Sequence, residues 1–287
     1  MTIKPVRKAV FPVAGLGTRL LPATKAIPKE MLTIVDKPLI QYAVDEARAA
    51  GIEEMVFVTG RGKSALVDYF DQAFELEATM RGKGKSLAVL DPSRAGFGEL
   101  ITVRQQQPLG LGHAIWCARD IIGDEPFAVL LPDEVMVGKP NCLAQMVEAH
   151  RKVGGNVVAV LEVPPEETHR YGVVDPGASD GPLVEIRGLV EKPPQGSAPS
   201  NLMLPGRYIL QPEVMRVLDA QEAGSGGEIQ LTDAMAKLIG KQPFHGFRFS
   251  GRRHDCGDSY GFVTGNIAMA LDRPDIGPRI REYLKTL

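Results

Sequence analysis

The chain has 287 residues, enough to bury a sizeable core in one large α/β domain or two small ones. Its hydrophobic residues (44%) and charged residues (24%) stand in the proportions of an ordinary globular protein, not a disordered or fibrous one. A net charge of −2 argues against a nucleic-acid coat or a membrane-surface protein, so any anion site must be a local concentration of cations.

In chain order, a short apolar run (Ala9, Val10, Phe11, Val13) reads as a strand that ends in the small-residue turn Ala14-Gly15-Leu16-Gly17-Thr18. Ile40 to Ala50 reads as a helix with Ile40, Val44 and Ala47 on one face and Gly51 as its stop. Met55 to Val58 is a candidate buried strand, and Ser64 can cap a helix running to Phe70. Further strands are expected at Leu100 to Val103, Phe127 to Leu131 and Asn156 to Val163. This alternation of short buried strands and amphipathic helices predicts an open α/β sheet flanked by helices. After Pro164, Pro and Gly multiply around short strands (Tyr171 to Val174, Leu183 to Val190, Arg207 to Leu210), which reads as a β annex to the sheet. Helices return at Pro212 to Leu218, Glu228 to Ile239 and Ser259 to Leu271, with a short terminal one after Pro278. There is no internal repeat or low-complexity linker, so one domain over 1–287 is expected, with a core of about 5–163 and an extension of about 164–287.

Cys117, Cys142 and Cys256 are odd in number, widely spaced and without a C-x-x-C, which suggests neither a disulfide framework nor a zinc site. No run approaches the ~18 apolar residues of a membrane span. The segment 1–8 is basic but lacks the apolar core of a signal peptide, and a cytoplasmic location is expected.

The stretch from Phe11 to Pro38 carries the most chemistry. Gly15 and Gly17 let the backbone pass close to a ligand and turn N–H groups toward it. Arg19, Lys25, Lys29 and Lys37 follow, offset only by Glu30 and Asp36, a composition suited to a polyphosphate. Pro22 and Pro28 interrupt any long helix, so an extended loop is expected. A dinucleotide fingerprint G-x-G-x-x-G fails here, because Leu20 stands at the third glycine and no helix follows directly. A Walker A loop also fails: before Gly62-Lys63-Ser64 and Gly84-Lys85-Ser86, the leading glycine is replaced by Phe57 and Thr79.

Gly-x-Gly-Thr-Arg-Leu, then Pro-x-x-Lys-x-x-Pro-Lys-Glu-Met-Leu, then Val-Asp-Lys-Pro-Leu-Ile resembles the signature of the sugar-1-phosphate nucleotidylyltransferase family, and within it the bacterial uridylyltransferase branch. The block Phe74-Glu75-Leu76-Glu77 with the basic run Arg81 to Lys85 resembles an insertion of that branch. The resemblance implies a Rossmann-like, mixed but mostly parallel sheet, a sugar-binding β annex and C-terminal helices. It implies UTP and glucose 1-phosphate as substrates, Mg²⁺ as cofactor, no nucleic-acid or membrane partner, and a homodimer or homotetramer. A thymidylyltransferase and a non-catalytic nucleotide-sugar sensor on the same fold remain open, with a nicotinamide-dependent oxidoreductase as a weaker rival.

In open α/β sheets, ligands sit at the carboxyl ends of strands. Residues 14–29, residues 105–112, Asp133, and residues 171–192 with Asp255 all fall at such ends. The resemblance places the nucleotide against Ala14, Gly15, Gly17, Glu30, Gln105, Gly110 and Asp133. An amide donates and accepts at once and so can pair with a uracil edge; three successive glutamines keep Gln106 beside Gln105 as a candidate. Asp133, at the exposed end of an apolar strand, is placed to hold Mg²⁺, which takes one or two carboxylates plus substrate phosphates, and the resemblance implies Asp133 and Asp255 as the two metal carboxylates. Arg19, Lys29 and Lys192 are the expected catalytic cations, with Arg207 a candidate helper at the sugar phosphate. The sugar is expected on Gly172, Glu191, Lys192 and Asn201, because Glu191 can accept from two hydroxyls. His113 reads as structural, Glu134 as a solvated neighbour of Asp133, and the run from Glu228 to Ala234 as packing that steadies the annex.

Overall fold

The apolar runs of the sequence lie side by side in the computed structural model, which describes residues 3–287, Ser225 by its backbone alone. Strand β1 (Lys8–Pro12) leads into single 3-10 turns at Thr18–Leu20, Ala23–Lys25 and Lys29–Met31, so the proline-broken stretch is a loop with three turns and no long helix. A small hairpin, β2 (Thr33–Ile34) and β3 (Lys37–Pro38), delivers the chain to α1 (Leu39–Ala49), which buries Ile40, Ala43, Val44 and Ala47 at the expected helical spacing. Then come β4 (Glu54–Thr59), α2 (Ser64–Asp68), α3 (Phe74–Gly82), β5 (Leu100–Arg104), α4 (Leu111–Trp116), α5 (Arg119–Ile122) and β6 (Phe127–Leu130). A turn joins β6 to β7 (Glu134–Val137), followed by α6 (Cys142–Val153), whose first turn is capped by Asn141 accepting from the Ala144 amide at 2.7 Å.

The second half supplies β8 (Asn156–Glu162), β9 (Gly172–Asp180), β10 (Leu183–Glu191), β11 (Leu202–Met203), β12 (Arg207–Leu210), α7 (Glu213–Leu218) and α8 (Leu231–Ala236). It closes with β13 (Phe244–Arg248), β14 (Arg252–Asp255), α9 (Ser259–Asp272) and α10 (Gly277–Leu284). Helix α8 is shorter than the stretch from Glu228 to Ile239 that its composition suggested, because residues 228–230 stay extended and bond to the loop before α4.

Ten strands form one sheet in the order β11-β9-β10-β13-β8-β12-β6-β1-β4-β5. The run β6-β1-β4-β5 is parallel, so the carboxyl ends of β1, β5 and β6 share one edge, and from them start the loops at Val13, Gln105 and Leu131. Strand β12 runs antiparallel to β6, which returns its first residue, Arg207, to that same edge opposite Leu130. Parallel pairing, expected for most of the sheet, is confined to this run and the β8–β13 pair. The annex strands do not stand apart: β11 pairs with both β9 and β8, so β8, β13, β10, β9 and β11 close into a ring continuous with the sheet. Two apolar layers cover the two faces. Val10, Val56, Val129 and Val158 point into the one beneath α4, α7 and α8, while Ala9, Phe11, Phe57 and Ala128 point into the one beneath α1 and α6. Alternate residues of each strand thus serve opposite faces, which is why these strands read as continuous apolar runs and not as alternating ones.

Candidate active site

At the shared strand edge lies a cleft of about 440 Å³. It is lined by Ala14, Gly15, Gly17, Arg19, Lys29, Gln105, Gly110 and Asp133, eight residues expected at the nucleotide or on its phosphates, and by Glu228, which sequence reasoning assigned to packing. Gly17 sits at φ 68°, and a Cβ there would come within 3.1 Å of Lys29 Cβ and of the Thr24 methyl. The Thr24 hydroxyl donates to the Gly17 carbonyl at 2.8 Å and holds the turn against the loop. A Cβ at Gly15 would meet nothing in the protein within 4 Å, so its side of the turn faces open space in the cleft.

Lys29 and Asp133, 104 positions apart, form the central charged pair, with Nζ donating to Oδ2 at 2.5 Å. Burial opposes the charge on Lys29, yet the carboxylates of Asp133 and Glu30 outweigh it and hold its pKa above the ordinary lysine value. Burial likewise opposes ionisation of Asp133, and Lys29 outweighs that, holding the carboxyl below its ordinary value. Both groups are therefore charged at neutral pH.

Asp255 comes to Asp133 through the pairing of β14 with β7, which sets Asp255 opposite Glu134 and lets the Cys256 amide donate to the Asp133 carbonyl at 2.8 Å. A side chain at Gly257 would press within 3.1 Å of Asp255 Oδ1 and 3.2 Å of Asp133 Oδ2, so both carboxylates face the same small gap. Arg253 donates to Asp255 Oδ2 at 3.1 Å and grips Glu134 through two bonds of 2.6 Å. Glu134 is thus a buried partner of Arg253 and not the solvated neighbour expected; burial pushes its carboxyl up to about 7 against the pull of Arg253. Among the described residues no three Asp, Glu, His or Cys side chains gather as a metal cage, which leaves Asp133 and Asp255 as an oxygen-only, two-carboxylate set.

The sugar-side candidates form a second group joined to the first. Gly172 pairs with Glu191 across β9 and β10, and a Cβ at Gly172 would lie 3.1 Å from Glu191 Oε2. Lys192, at φ 45°, has its amide bonded to the Tyr171 carbonyl at 3.0 Å and its Nζ 3.6 Å from Glu191 Oε1. Asn201 is exposed just before β11, and its carbonyl accepts from the Val163 amide. The bridge to the carboxylates is Tyr171, whose hydroxyl lies 3.5 Å from Asp255 Oδ2 and whose ring is covered by Arg253 at 5.1 Å.

Beyond Glu134 and Glu228, three more expectations do not match this geometry. Glu30 is fully buried and does not line the cleft; its Oε2 accepts from Lys63 at 2.7 Å, and burial, which leaves its Oε1 without a partner among the described residues, keeps it from a base. Burial pushes its carboxyl up against the pull of Lys63 and Lys29. Of the two glutamines, Gln105 lines the cleft and Gln106 is exposed outside it. Arg207 is a buried partner of Glu46 behind the Asp133 turn and does not reach the sugar group. Thr232 is the residue that sequence reasoning missed: its hydroxyl donates to Glu191 Oε2 at 2.7 Å from 41 positions away. The run 228–232 touches both halves of the site, with Glu228 in the cleft and Thr232 on Glu191. Nothing within the run itself sets Thr232 apart, because its partner lies 41 positions away.

A family model described as nucleotidyl transferase matches residues 8–269. A UTP–glucose-1-phosphate uridylyltransferase of Komagataeibacter xylinus is 56% identical over 257 residues, covering 89% of this chain and 90% of that one. The solved structure of a UTP-bound UGPase from Acinetobacter baumannii matches with a TM-score of 0.90 at 42% identity, covering 98% of this chain and 99% of the other. A UDP-glucose pyrophosphorylase complexed with UDP-glucose matches with a TM-score of 0.84 at 42% identity, covering 93% and 100% of the two chains. With its cleft built from the signature residues and the family model matched over most of its length, the chain belongs to the nucleotidyl transferase family.

Proposed function

We propose that this chain transfers the uridylyl group of UTP to glucose 1-phosphate, giving UDP-glucose and pyrophosphate. The observation that carries this reading is the Lys29–Asp133 pair set among Ala14, Gly15, Arg19 and Gln105 in one cleft, in a chain whose close relatives carry that activity in their names. A phosphate oxygen of glucose 1-phosphate attacks the α-phosphorus in line and pyrophosphate leaves opposite. The nucleophile is already anionic, so no general base or protein nucleophile is required. The barrier lies in bringing anions together and in the charge that builds on the transferring group, and positioned cations lower it. Arg19 and Lys29 hold the triphosphate and the leaving group, and the open side of Gly15 leaves room for the phosphates. Lys192 meets the incoming phosphate, and Glu191, held by Thr232, accepts from the sugar hydroxyls beside Gly172, with Asn201 at the rim.

The two facing carboxylates, with no His or Cys among them, suit a hard divalent cation, and Asp133 and Asp255 are the residues that would hold Mg²⁺. When bound, such an ion neutralises phosphate charge as a Lewis acid. The ring that joins β8 to β9, β10, β11 and β13 supports treating 1–287 as one working unit. No helix of the described residues is long and apolar enough to cross a membrane. Nucleotide substrates and free Cys117, Cys142 and Cys256 fit a cytoplasmic setting. Self-association as a homodimer or homotetramer is part of the reading, supported by Tyr260, Val263 and Tyr283, which α9 and α10 leave exposed.

The test is pyrophosphate release with Mg²⁺ and glucose 1-phosphate, offering UTP, dTTP, ATP, CTP and GTP separately. Release dominated by UTP is expected. Equal or better release with dTTP would move the chain to thymidylyl transfer, and binding of UTP without release would make it a sensor.

A further inference from the structure

Gln105 is held from two sides by groups that fix which way its amide faces. Its Nε2 lies 3.1 Å from the Gly110 carbonyl oxygen and 3.0 Å from His113 Nδ1. A carbonyl oxygen only accepts, so the amide nitrogen and not the amide oxygen must face Gly110. The second N–H then points at His113 Nδ1, which must present its lone pair and leave the ring proton on Nε2. Burial lowers the pKa of His113 and favours this neutral ring. The ring itself is set by Trp116, stacked at 5.7 Å between centroids, with Cys117 Sγ 4.0 Å from the same Nδ1.

The Gly110 carbonyl is equally fixed. Gly110 sits at φ 112°, and a Cβ there would strike the Ile229 carbonyl oxygen at 2.7 Å. The loop around it is pinned by Ile229 N–H on the Leu109 carbonyl and Gly112 N–H on the Ile229 carbonyl, both 2.8 Å. Both amide hydrogens of Gln105 are therefore used inside the protein, and no protein donor among the described residues bonds its Oε1. Oε1 is what Gln105 offers the cleft.

We propose that His113 is a positioning residue for base selection, locking the Gln105 amide so that its oxygen alone reads the nucleobase. An acceptor at that point fits a base with N–H at ring position 3, as in uracil and thymine. It repels cytosine, which carries a lone pair there. It does not separate uracil from thymine. This inference rests on Gln105 contacting the base in the proposed uridylyl transfer.

The test is steady-state kinetics with UTP and with CTP on His113→Ala, His113→Asn and Gln105→Ala. Loss of one ordinary hydrogen bond changes an affinity by about tenfold. His113→Ala is expected to lower the UTP-over-CTP ratio of kcat/KM by about tenfold through KM for the nucleotide, with KM for glucose 1-phosphate and kcat within about twofold. His113→Asn places an amide oxygen near the position of Nδ1 and is expected to restore most of that ratio. An unchanged ratio in His113→Ala, or no recovery in His113→Asn, overturns the lock. Gln105→Ala separates the two levels: if it leaves both the ratio and KM for UTP unchanged, Gln105 does not touch the base and the underlying reading of this residue falls as well. Nitrogen NMR of His113 in the wild-type protein needs no variant to fold; an unprotonated Nδ1 is expected, and a protonated one would overturn the proposal.

Discussion

Arg207 grips both ends of the turn that carries Asp133, donating from Nη1 to the Leu131 carbonyl at 2.8 Å and from Nη2 to the Glu134 carbonyl at 2.6 Å. Nη1 also donates to the Gly206 carbonyl at 3.2 Å, Nη2 and Nε meet Glu46 Oε2 at 2.9 and 3.1 Å, and Glu46 Oε1 accepts from the Leu143 amide on α6 at 3.0 Å. Both side chains are almost wholly buried, and removing one partner of such a pair costs about 3–5 kcal/mol. Arg207→Met is expected to lose that much stability in urea unfolding. Replacing Glu46 with Met as well is expected to recover part of the stability, because the unpaired buried charge is gone while the Leu143 amide loses its acceptor, but not turnover, because the two turn carbonyls still lack their donors. Full recovery of turnover in the double variant would show that Arg207 only packs.

Lys29→Ala removes the cation that Asp133 faces at 2.5 Å. Groups placed on developing charge contribute about 10²–10³ in kcat, and a loss of that size is expected from protein that still folds. Turnover near that of the wild type would remove Lys29 from the mechanism.

The same pair sets a pH dependence. The folded-state pKa of Asp133 lies below its ordinary value of 3.8, so the unfolded chain takes up its proton first as pH falls. Stability from Asp133 is complete above pH 3.8 and is lost as pH drops through the depressed folded value. Lys29 is raised above 10.5, so its share is complete below that pH and is lost as pH rises through the folded value. Between these limits the pair stays charged. Urea melts of Asp133→Asn between pH 2 and 6 are expected to show a shallower acid slope than those of the wild type, and parallel slopes would contradict the pairing.

On the sugar side, Glu191→Ala is expected to raise KM for glucose 1-phosphate by about tenfold with KM for UTP unchanged. Thr232→Val removes only the hydroxyl that holds Glu191 and is expected to give a smaller rise of about threefold in the same constant. An equal effect on both substrates would mean that these residues support the fold and not the sugar.

Chelation with EDTA is expected to abolish turnover and Mg²⁺ to restore it. Asp255→Asn is expected to raise the Mg²⁺ concentration needed for half-maximal turnover by about tenfold, because a charge-assisted contact is worth about 1.5–3 kcal/mol. Turnover indifferent to EDTA would remove the metal from the reading.

What the sequence alone determined is whatever depends on neighbours in the chain. Apolar runs such as Phe127-Ala128-Val129-Leu130 marked buried strands, the 40-44-47 spacing marked α1, and the prolines and glycines of 14–29 marked a loop, because backbone conformation is set within a few residues. The tertiary structure alone decided which charges meet. Glu46 finds Arg207 at a separation of 161 residues, Glu134 finds Arg253 at 119, and Glu30 finds Lys63 at 33. A carboxylate reads alike in sequence whether it will face a ligand or a buried cation. The folded dielectric and the register of β12 on β6 and β14 on β7 separate the two cases. That is why Arg207 and Glu30 read as ligand residues, while Asp133, in the turn that follows β6, could be placed from the chain alone.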